Sequence, residues 1–279
     1  MDWNIVDKII KNALEEDIYT EDITSNLLIP PSLKAKAKII AKEDLILCGI
    51  DIVRRVFKIV DPQIDFYPNF SDGEKVPSFS EIATIFGLAR SILKAERVVL
   101  NFLQHLSGIA TLTRKFVEKV KDFQVIITDT RKTHPGLRFL EKYAVLCGGG
   151  KNHRMGLFDG ILIKDNHISL CGSIRKALEK IVKNKPHYMK VEIEVRSLDE
   201  LREVLEIGGV DIVMLDNMKT EDIILASEIA KGKVILEVSG GVNLENIREI
   251  AKAKVDVISI GALTHSARFV DISLYIEKV

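Results

Sequence analysis

The sequence predicts an α/β protein in two parts: an N-terminal α+β unit and a six- or seven-stranded α/β barrel. Six short, β-branched apolar runs occur after residue 124, and amphipathic segments with helical spacing separate them. Strands that are apolar along their whole length are typical of a parallel sheet covered by helices. An open doubly wound sheet is the alternative, but no GxGxxG fingerprint follows any of the runs, which weighs against a dinucleotide-binding domain.

The N-terminal part, residues 1–105, mixes helical and strand patterns. An amphipathic helix is predicted near Trp3 to Leu14, and the stretch EDIYTEDITSNLLIPP after it is loop-like. KAKAKIIAKEDLIL alternates small or apolar with polar residues, as a half-buried strand does. IDIVRRVFKIV has helical spacing, and PNFSDGEKV reads as a turn. Ser91 to Val120 is apolar at helical spacing and is expected to bridge into the second part.

The second part, residues 106–267, supplies the strands of the predicted barrel. They are VIITDT, GILIKDN, VEIEV, DIVMLDN, VILEVSGG and VDVISIGAL, with helices around Arg138 to Cys147, Ser173 to Lys183, Leu198 to Ile207, Glu221 to Lys231, and Leu244 to Ala253. Each strand pattern ends in polar or glycine-rich residues. In parallel α/β folds these ends converge on one face, where active sites lie, so the site is predicted there.

The overall composition excludes several classes of function. The chain has 40 basic and 40 acidic residues, which gives no electrostatic case for nucleic acid or an anionic membrane. No apolar run approaches the length of a membrane span, and the N-terminus is unlike a signal peptide, so a cytoplasmic location is expected. Three cysteines without CxxC spacing indicate reduced thiols.

A local excess of cations is the clearest functional feature of the barrel part. Arg131, Lys132, Arg154 and Lys164 lie between residues 129 and 168, several of them at the ends of apolar runs. Guanidinium groups match carboxylates bidentately, and lysines act as compact charges for phosphates. Ordinary surface salt bridges are the alternative, but the placement after buried strands favours a site for a carboxylate or phosphate ligand.

Two further groups of strand-end residues extend this prediction. Glu194 and Asp216 end adjacent strands and are suited either to Mg²⁺ beside a phosphate or to orienting the lysines as counter-ions. The glycine-rich Ser239, Gly240 and Gly241 precede a helix expected to start near Asn243, and with Gly261 they suit a phosphate.

Two features near the cations remain open. His153, beside Arg154, is suited either to a substrate carboxylate or to capping a helix. The GGG at 148–150 is either a mobile loop or a helix stop.

The motifs, taken in order, resemble a known family. DTRKT-PG-R--EKYAV--GGG-NHR, LIKDNHI, VEIEV, LDN, SGG and IGALTHS look like those of nicotinate-nucleotide pyrophosphorylase (carboxylating), also called quinolinate phosphoribosyltransferase. ED----DITS and AER--LNFLQHLSGIAT extend the resemblance to nearly the whole chain. The departures are small: Thr20-Glu21 replaces a glycine-rich pair, and Val238 stands where Ser is common.

The resemblance implies a reaction and an assembly. Quinolinate and phosphoribosyl pyrophosphate, with Mg²⁺, would give nicotinate mononucleotide, pyrophosphate and CO₂, which feeds NAD synthesis. It also implies an N-terminal α+β open sandwich joined to an incomplete six- or seven-stranded α/β barrel, with the tail 268–279 packed on the N-terminal domain. The assembly expected from the resemblance is a homodimer in which each sandwich domain caps the partner's barrel.

The resemblance also implies roles for site residues. Arg131, His153 and Arg154 would bind quinolinate, with Arg97 contributed across the dimer. Lys132 and Lys164 would contact the substrate carboxylate and the pyrophosphate. Glu194 and Asp216 would bind ribose hydroxyls and Mg²⁺, and the 5-phosphate would lie on Ser239, Gly240, Gly241 and Gly261.

Two alternatives belong to other functional classes. A paralogous enzyme associated with molybdate transport loci shares much of this pattern. A phosphate-binding barrel lyase or aldolase would use Lys164 as a Schiff base, which borohydride trapping would reveal. A non-catalytic binding module leaves the ring of strand-end polar groups unexplained.

Overall fold

The computed structural model describes all 279 residues. Its elements in chain order are α1 (Trp3–Ile18), α2 (Ile23–Leu28), β1 (Lys34–Ala41), β2 (Leu45–Ile46), α3 (Ile50–Val60), β3 (Asp65–Pro68), β4 (Lys75–Val76), β5 (Glu81–Leu88), α4 (Ala89–Lys119), β6 (Ile126–Thr128), α5 (Arg138–Cys147), β7 (Ile161–Ile163), α6 (Asp165–Cys171), α7 (Ile174–Asn184), β8 (Val191–Val195), α8 (Leu198–Ile207), β9 (Ile212–Asp216), α9 (Thr220–Ala230), β10 (Ile235–Ser239), α10 (Ile247–Lys252), β11 (Val257–Ser259), α11 (Ala262–His265) and β12 (Ile272–Lys278).

The chain divides into two compact units. The first contains Met1–Arg114, Thr133–Gly149 and Leu263–Val279, and the second contains Lys115–Lys132 and Gly150–Ala262. Helix α5, expected from the sequence among the helices of the barrel, groups with the first unit. The domain boundary placed between residues 105 and 106 stays a prediction.

An antiparallel sheet in the order β12-β1-β5-β3 forms the frame of the first unit. Strand β1 buries every second residue, and Ala35, Ala37, Ile39 and Ala41 are all at most 3% exposed. This is the alternation that the sequence predicts for a strand with one covered face. The C-terminal strand β12 pairs with β1 over its whole length, from Ala35 opposite Lys278 to Ala41 opposite Ile272.

Helices α3 and α4 supply much of the apolar core of this unit. On α4 the fully buried Ile92, Val99, Leu103, Leu106 and Ala110 recur at intervals of three, four or seven residues. Such spacing places them on one side of the helix. No helix, the 31-residue α4 included, combines the length and apolarity needed to cross a membrane. The cytoplasmic location stays a prediction.

The second unit contains a parallel sheet of six strands in the order β6-β11-β10-β9-β8-β7. Neighbouring strands follow one another along the chain from β7 to β11, without the reversal in mid-sheet that marks a doubly wound fold. Of the strands in this sheet, β6 and β7 come first along the chain, and they lie at its two edges and do not pair with each other. The sheet is therefore that of an incomplete barrel with six strands, within the predicted range.

The second edge of β6 is partly occupied by the segment that follows the glycine run. Lys151 forms an isolated parallel bridge with Thr128. Its N–H donates to the carbonyl of Ile127 at 2.8 Å, and the N–H of Asp129 donates to its carbonyl at 3.3 Å. This bridge fixes the start of the loop that contains His153 and Arg154.

Helix boundaries in the second unit follow local capping chemistry. The hydroxyls of Ser173 and Ser197 accept N–H groups from the first turns of α7 and α8, each at 3.2 Å. Helix α6 was not predicted, since its seven residues carry no clear apolar period. Helix α10 starts at Ile247 rather than near Asn243, which corrects the predicted start.

Candidate active site

The register of the parallel strands brings the predicted strand-end residues to one face. Ser239 pairs with Asp216 on one side and with Ser259 on the other, and Ser259 pairs with Thr128. Registered residues in a parallel sheet project to the same side, and so do residues two apart along a strand. Since Glu194 pairs with Met214, its side chain lies on the same side as that of Asp216.

Lys164 and Glu194 form an ion pair at the ends of β7 and β8. The Lys164 Nζ contacts Glu194 Oε1 directly. Glu194 is 9% exposed, whereas the Lys164 side chain is 44% exposed. The backbone N–H of Lys164, the residue before α6, donates to His167 Nδ1 at 2.9 Å. The Lys164 Nζ is thus held by a carboxylate, whereas a Schiff base would require it to attack the carbonyl carbon of a substrate.

Asp216 has two polar neighbours, Arg196 and Asn217, of which Arg196 was not singled out from the sequence. The Arg196 Nε lies 3.5 Å from Asp216 Oδ2, and its Nη2 lies 2.7 Å from Asp165 Oδ2. The Asp165 carboxylate raises the pKa of Arg196. Asn217 Nδ2 donates to Asp216 Oδ1 at 3.0 Å. Arg196 could have been predicted as a site residue from its position, because it directly follows β8 at the carboxyl end of a parallel strand.

Two guanidinium groups lie close to each other in the cation cluster. Arg154 is half-buried and donates from Nη1 to the carbonyl of Gly160 at 2.7 Å. Burial lowers its pKa, and the nearby charge of Arg131 lowers it further, whereas the carboxylates of Glu192 and Glu194 act in the opposite direction. Two like charges held together in a partly desolvated place attract an anion that relieves their repulsion.

Lys132 lies just past β6, and its side chain is exposed. Its backbone N–H donates to the hydroxyl of Thr130 at 3.0 Å, so the turn after β6 is held by a local side-chain contact. The structure therefore brings Lys132 to the same strand end as Arg131, as the sequence predicts.

His153 connects the loop of Arg154 to buried acids below it. Its Nδ1 accepts the backbone N–H of Arg154 at 2.8 Å, which assigns the ring proton to Nε2. That nitrogen lies 3.1 Å from Glu192 Oε2 and 3.6 Å from Glu237 Oε1. The backbone N–H of His153 donates to Asp129 Oδ1 at 3.0 Å. These hydrogen bonds and ion pairs of His153 stabilise the loop that contains it. Direct binding of a substrate carboxylate by His153 stays a prediction.

Glu237 is a buried acid that sequence reasoning missed. It is 2% exposed, and burial together with the nearby Glu192 carboxylate raises its pKa to about 7. Glu192, at 4% exposure, has its Oε1 without a hydrogen-bond partner. Both acids line a cavity of about 550 Å³ that also contacts His153 and Arg154. The sequence signal for these two buried acids was a glutamate within each of the apolar runs VEIEV and VILEVSGG.

The loop after β10 has a conformation that only glycine adopts without strain. Gly240 has a φ of 88°, and a Cβ there would lie 2.2 Å from Asn217 Oδ1. Asn217 itself has a φ of 55°, and its N–H donates to the carbonyl of Ser239 at 2.9 Å. The loops after β9 and β10 therefore contact each other at the position predicted for the 5-phosphate.

The segment between this loop and α10 is shaped by two asparagines. Asn243 Oδ1 accepts the N–H groups of Glu245 and Asn246 at 3.0 and 2.9 Å. Asn246 Nδ2 donates to the carbonyl of Gly241 at 2.9 Å. The glycine pair is thus separated from α10 by a side-chain-stabilised turn, and the predicted phosphate-binding role of these residues remains a prediction.

Three other predicted features have clear positions. Gly261 lies between β11 and α11, at the strand end beside β10. Arg97 is exposed on α4 in the first unit. Gly148 ends α5, and a Cβ there would lie 2.4 Å from Thr113 Cβ, so this part of the glycine run is a tightly packed helix stop.

Comparison with known proteins identifies the class to which this fold and site belong. The family described as "Quinolinate phosphoribosyl transferase, C-terminal domain" matches residues 109–275, and its N-terminal domain counterpart matches residues 22–107. The chain belongs to the quinolinate phosphoribosyltransferase family.

Individual relatives are similar in sequence to nearly the full length of this chain. The "Probable nicotinate-nucleotide pyrophosphorylase [carboxylating]" of Methanocaldococcus jannaschii is 47% identical over 280 residues, which cover 97% of each chain. The chloroplastic "Nicotinate-nucleotide pyrophosphorylase [carboxylating]" of Arabidopsis thaliana is 42% identical over 96% of this chain and 82% of its own. The solved structure of the nicotinate-nucleotide pyrophosphorylase from Francisella tularensis is 45% identical, with a TM-score of 0.93 over 99% of this chain and 98% of that one.

Proposed function

We propose how the residues of this chain carry out the reaction of its family. The enzyme is a pentosyltransferase that joins quinolinate to the ribosyl group of phosphoribosyl pyrophosphate, with loss of pyrophosphate and CO₂, and forms nicotinate mononucleotide. The observation that carries the assignment of the substrate pocket is the close pair of half-buried guanidinium groups, Arg131 and Arg154.

Quinolinate is a dicarboxylate, and the cation cluster suits it. One carboxylate on Arg131 and one on Arg154 would neutralise both guanidinium groups through bidentate hydrogen bonds. Lys132 follows β6 and Lys164 follows β7, the two edge strands of the parallel sheet, and both supply further charge. His153 supports the pocket from below by holding the backbone of Arg154 against the buried Glu192. The predicted direct contact of His153 with a substrate carboxylate belongs to the same proposal.

Phosphoribosyl pyrophosphate would occupy the neighbouring strand ends. We place its ribose hydroxyls on Glu194 and Asp216, whose side chains lie on one face of β8 and β9. Its 5-phosphate would lie on backbone N–H groups around Ser239, Gly240, Gly241 and Gly261, and its pyrophosphate near the two lysines. From Ser239 through Asp216 and Glu194 to Lys164 this placement follows the strand order β10-β9-β8-β7, whereas Lys132 follows β6 at the other edge of the sheet.

The residues at these strand ends also fit a magnesium ion. Mg²⁺ prefers oxygen ligands and is usually held by one or two carboxylates together with substrate phosphates and water. Glu194 and Asp216 offer carboxylate oxygens, and both already contact cationic groups, Lys164 and Arg196. We propose that these two carboxylates hold Mg²⁺ directly or through water. The ion would neutralise charge on the leaving pyrophosphate.

The chemistry requires no protein nucleophile. The pyridine nitrogen of quinolinate attacks the anomeric carbon of the ribosyl group through an oxocarbenium-like state, and pyrophosphate leaves. The 2-carboxylate then leaves as CO₂, the electron pair of the broken bond stays on C2 of the cationic pyridinium ring, and C2 takes up a proton. The protein contributes orientation of the two substrates and electrostatic stabilisation: carboxylates near the positive ribosyl centre, and lysines near the negative leaving group.

We further propose that the enzyme is a homodimer in which Arg97 completes the partner's quinolinate pocket. The support is family membership, together with the exposed position of Arg97 on α4. The test mixes two inactive variants, Arg97→Ala and Lys164→Ala, and allows their subunits to exchange. In a mixed dimer one site carries both defects and the other carries neither.

Random exchange of equal amounts makes about half of the dimers mixed, so about a quarter of all sites should recover activity. Each variant alone, treated in the same way, serves as the control. Verified exchange without recovery would show that Arg97 does not act across the dimer.

Substrate preference tests the dicarboxylate assignment. Nicotinate lacks the 2-carboxylate and would form one fewer charged hydrogen bond with the cations of the site. Because loss of such a bond costs about 2–5 kcal/mol, the kcat/KM for nicotinate should be at least about 30-fold below that for quinolinate. Product formation is measured with each acid, with and without Mg²⁺. Equal turnover of nicotinate would contradict this assignment.

A further inference from the structure

The first unit contains a second cluster of metal-ligating groups, outside the candidate active site. His105 Nε2 and His134 Nδ1 lie 2.8 and 2.6 Å from the same atom, Oε1 of Glu141. The other carboxylate oxygen, Oε2, accepts the backbone N–H of His134 at 3.1 Å. The three candidate ligand atoms all lie within 4.8 Å of one another. Two imidazoles and one carboxylate therefore converge on one point.

Rigid elements hold two of these three side chains. His105 projects from α4 and is 8% exposed, and Glu141 projects from the first turn of α5 and is fully buried. His134 lies in the loop before α5, with 51% of its side chain exposed. The two imidazole rings are 5.3 Å apart and nearly perpendicular. The cluster thus has two fixed groups and one that is free to adjust and accessible to solvent.

A cavity of about 610 Å³ lies directly beside the cluster. Both imidazoles line it, and so do the acidic residues Glu16 and Asp17 and a third histidine, His265. Acidic groups around a site raise its affinity for a cation. The space also leaves room for water or another small ligand on the open side of a bound ion.

We propose that His105, His134 and Glu141 bind Zn²⁺ or a similar late first-row divalent cation, with the remaining coordination positions facing this cavity. Two imidazole nitrogens and one carboxylate oxygen are the ligands such ions prefer, whereas Mg²⁺ selects oxygen ligands. The site therefore differs in metal and in location from the magnesium position proposed at Glu194 and Asp216.

The geometry requires only a small adjustment to accept the ion. Zinc bonds of about 2.0–2.2 Å in tetrahedral geometry place neighbouring ligand atoms about 3.3 Å apart. The nitrogens would move away from Glu141 Oε1 by about 0.5–0.7 Å relative to their hydrogen-bonded positions. Each ring would carry its proton on the other nitrogen, and the exposed His134 is free to make most of the movement.

Metal titration of the full chain tests this proposal without using the enzymatic reaction. The protein is stripped with a chelator, and excess Mg²⁺ is then added to occupy oxygen-ligand sites. It is titrated with Co²⁺, followed by visible absorption, and with Zn²⁺, followed by calorimetry. One ion per chain is expected. His134→Ala should weaken binding by more than the roughly 10–100-fold that loss of an outer-shell partner costs.

Two variants make the result decisive. His187→Ala removes another exposed imidazole, which packs on the Tyr188 ring in the second unit, and should bind the metal like the unaltered protein. Glu141→Gln should lose binding, and if this variant does not fold, the pair His134→Ala and His187→Ala decides alone. Absence of stoichiometric binding, or binding that survives His134→Ala or a folded Glu141→Gln, would overturn the proposal.

Discussion

Replacing Glu237 by glutamine should make the protein more stable at neutral pH and leave its stability at acidic pH nearly unchanged. Glu237 is 2% exposed within β10, and burial together with the charge of Glu192 raises its pKa from the ordinary 4.5 to about 7. Glutamine has the shape of the protonated carboxyl but does not ionise. The substitution therefore removes the cost of a buried charge and keeps the packing.

The sign of the effect follows from proton uptake. Between about pH 4.5 and pH 7 the folded protein holds a proton on Glu237 that the unfolded chain has released. In this window, the contribution of Glu237 to the free energy of unfolding decreases as the pH rises, and above about pH 7 this contribution is fully lost. A shift of this size corresponds to about 3 kcal/mol. The stability of Glu237→Gln relative to the unaltered protein should thus rise by about 3 kcal/mol from pH 4.5 to pH 8.

Urea unfolding at several pH values measures this difference. The free energy of unfolding is compared between the two proteins at each pH, with the urea dependence checked for equality. Glu206→Gln serves as the matched control, because the Glu206 side chain is 80% exposed, and it should show no such trend. A stability difference for Glu237→Gln that does not change with pH would refute the reasoning about this buried acid.

Two further substitutions test the substrate pocket and the glycine loop. Arg154→Ala should weaken quinolinate binding by about 2–5 kcal/mol and phosphoribosyl pyrophosphate binding far less, and equal losses in calorimetry would contradict this division. Gly240→Ala should cost about 1–2 kcal/mol of backbone strain at its φ of 88° and also displace Asn217, whose amide blocks a Cβ. Gly241 has a φ of 64°, and no atom lies within 4 Å of a Cβ built there, so Gly241→Ala should show only the backbone strain. The two variants are compared by thermal unfolding, and a lower melting temperature for Gly241→Ala than for Gly240→Ala would contradict the close approach of the two loops.

Much of the fold was predictable because its patterns are local. The alternation in β1 and the apolar runs that form β6 to β11 follow from side-chain periodicity, and the six parallel strands confirm it. Most of the cations and carboxylates proposed for the candidate site were predicted by one rule, that residues at the carboxyl ends of parallel strands meet. This rule works from sequence because strand direction determines which ends converge.

The features that were missed depend on contacts between distant residues. The sequence does not show that Lys151 bridges to β6, nor that residues 133–149 group with the first unit. Nothing in the sequence pairs His105 with Glu141, 36 positions later, and only the structure places the two side chains in contact. Glu237 was overlooked because an acid within an apolar run does not show, from sequence alone, that it is buried beside another carboxylate such as that of Glu192.

This chain transfers a phosphoribosyl group to quinolinate and releases the 2-carboxylate of quinolinate as CO₂. The most direct measurement uses quinolinate labelled in that carboxylate and follows release of labelled CO₂. We expect release that requires phosphoribosyl pyrophosphate, increases with Mg²⁺, matches nicotinate mononucleotide in amount, and is lost in Lys164→Ala. Two results would show that the chain does not catalyse this reaction. One is the absence of labelled CO₂ from the folded protein with both substrates and Mg²⁺, and the other is release that proceeds equally without phosphoribosyl pyrophosphate.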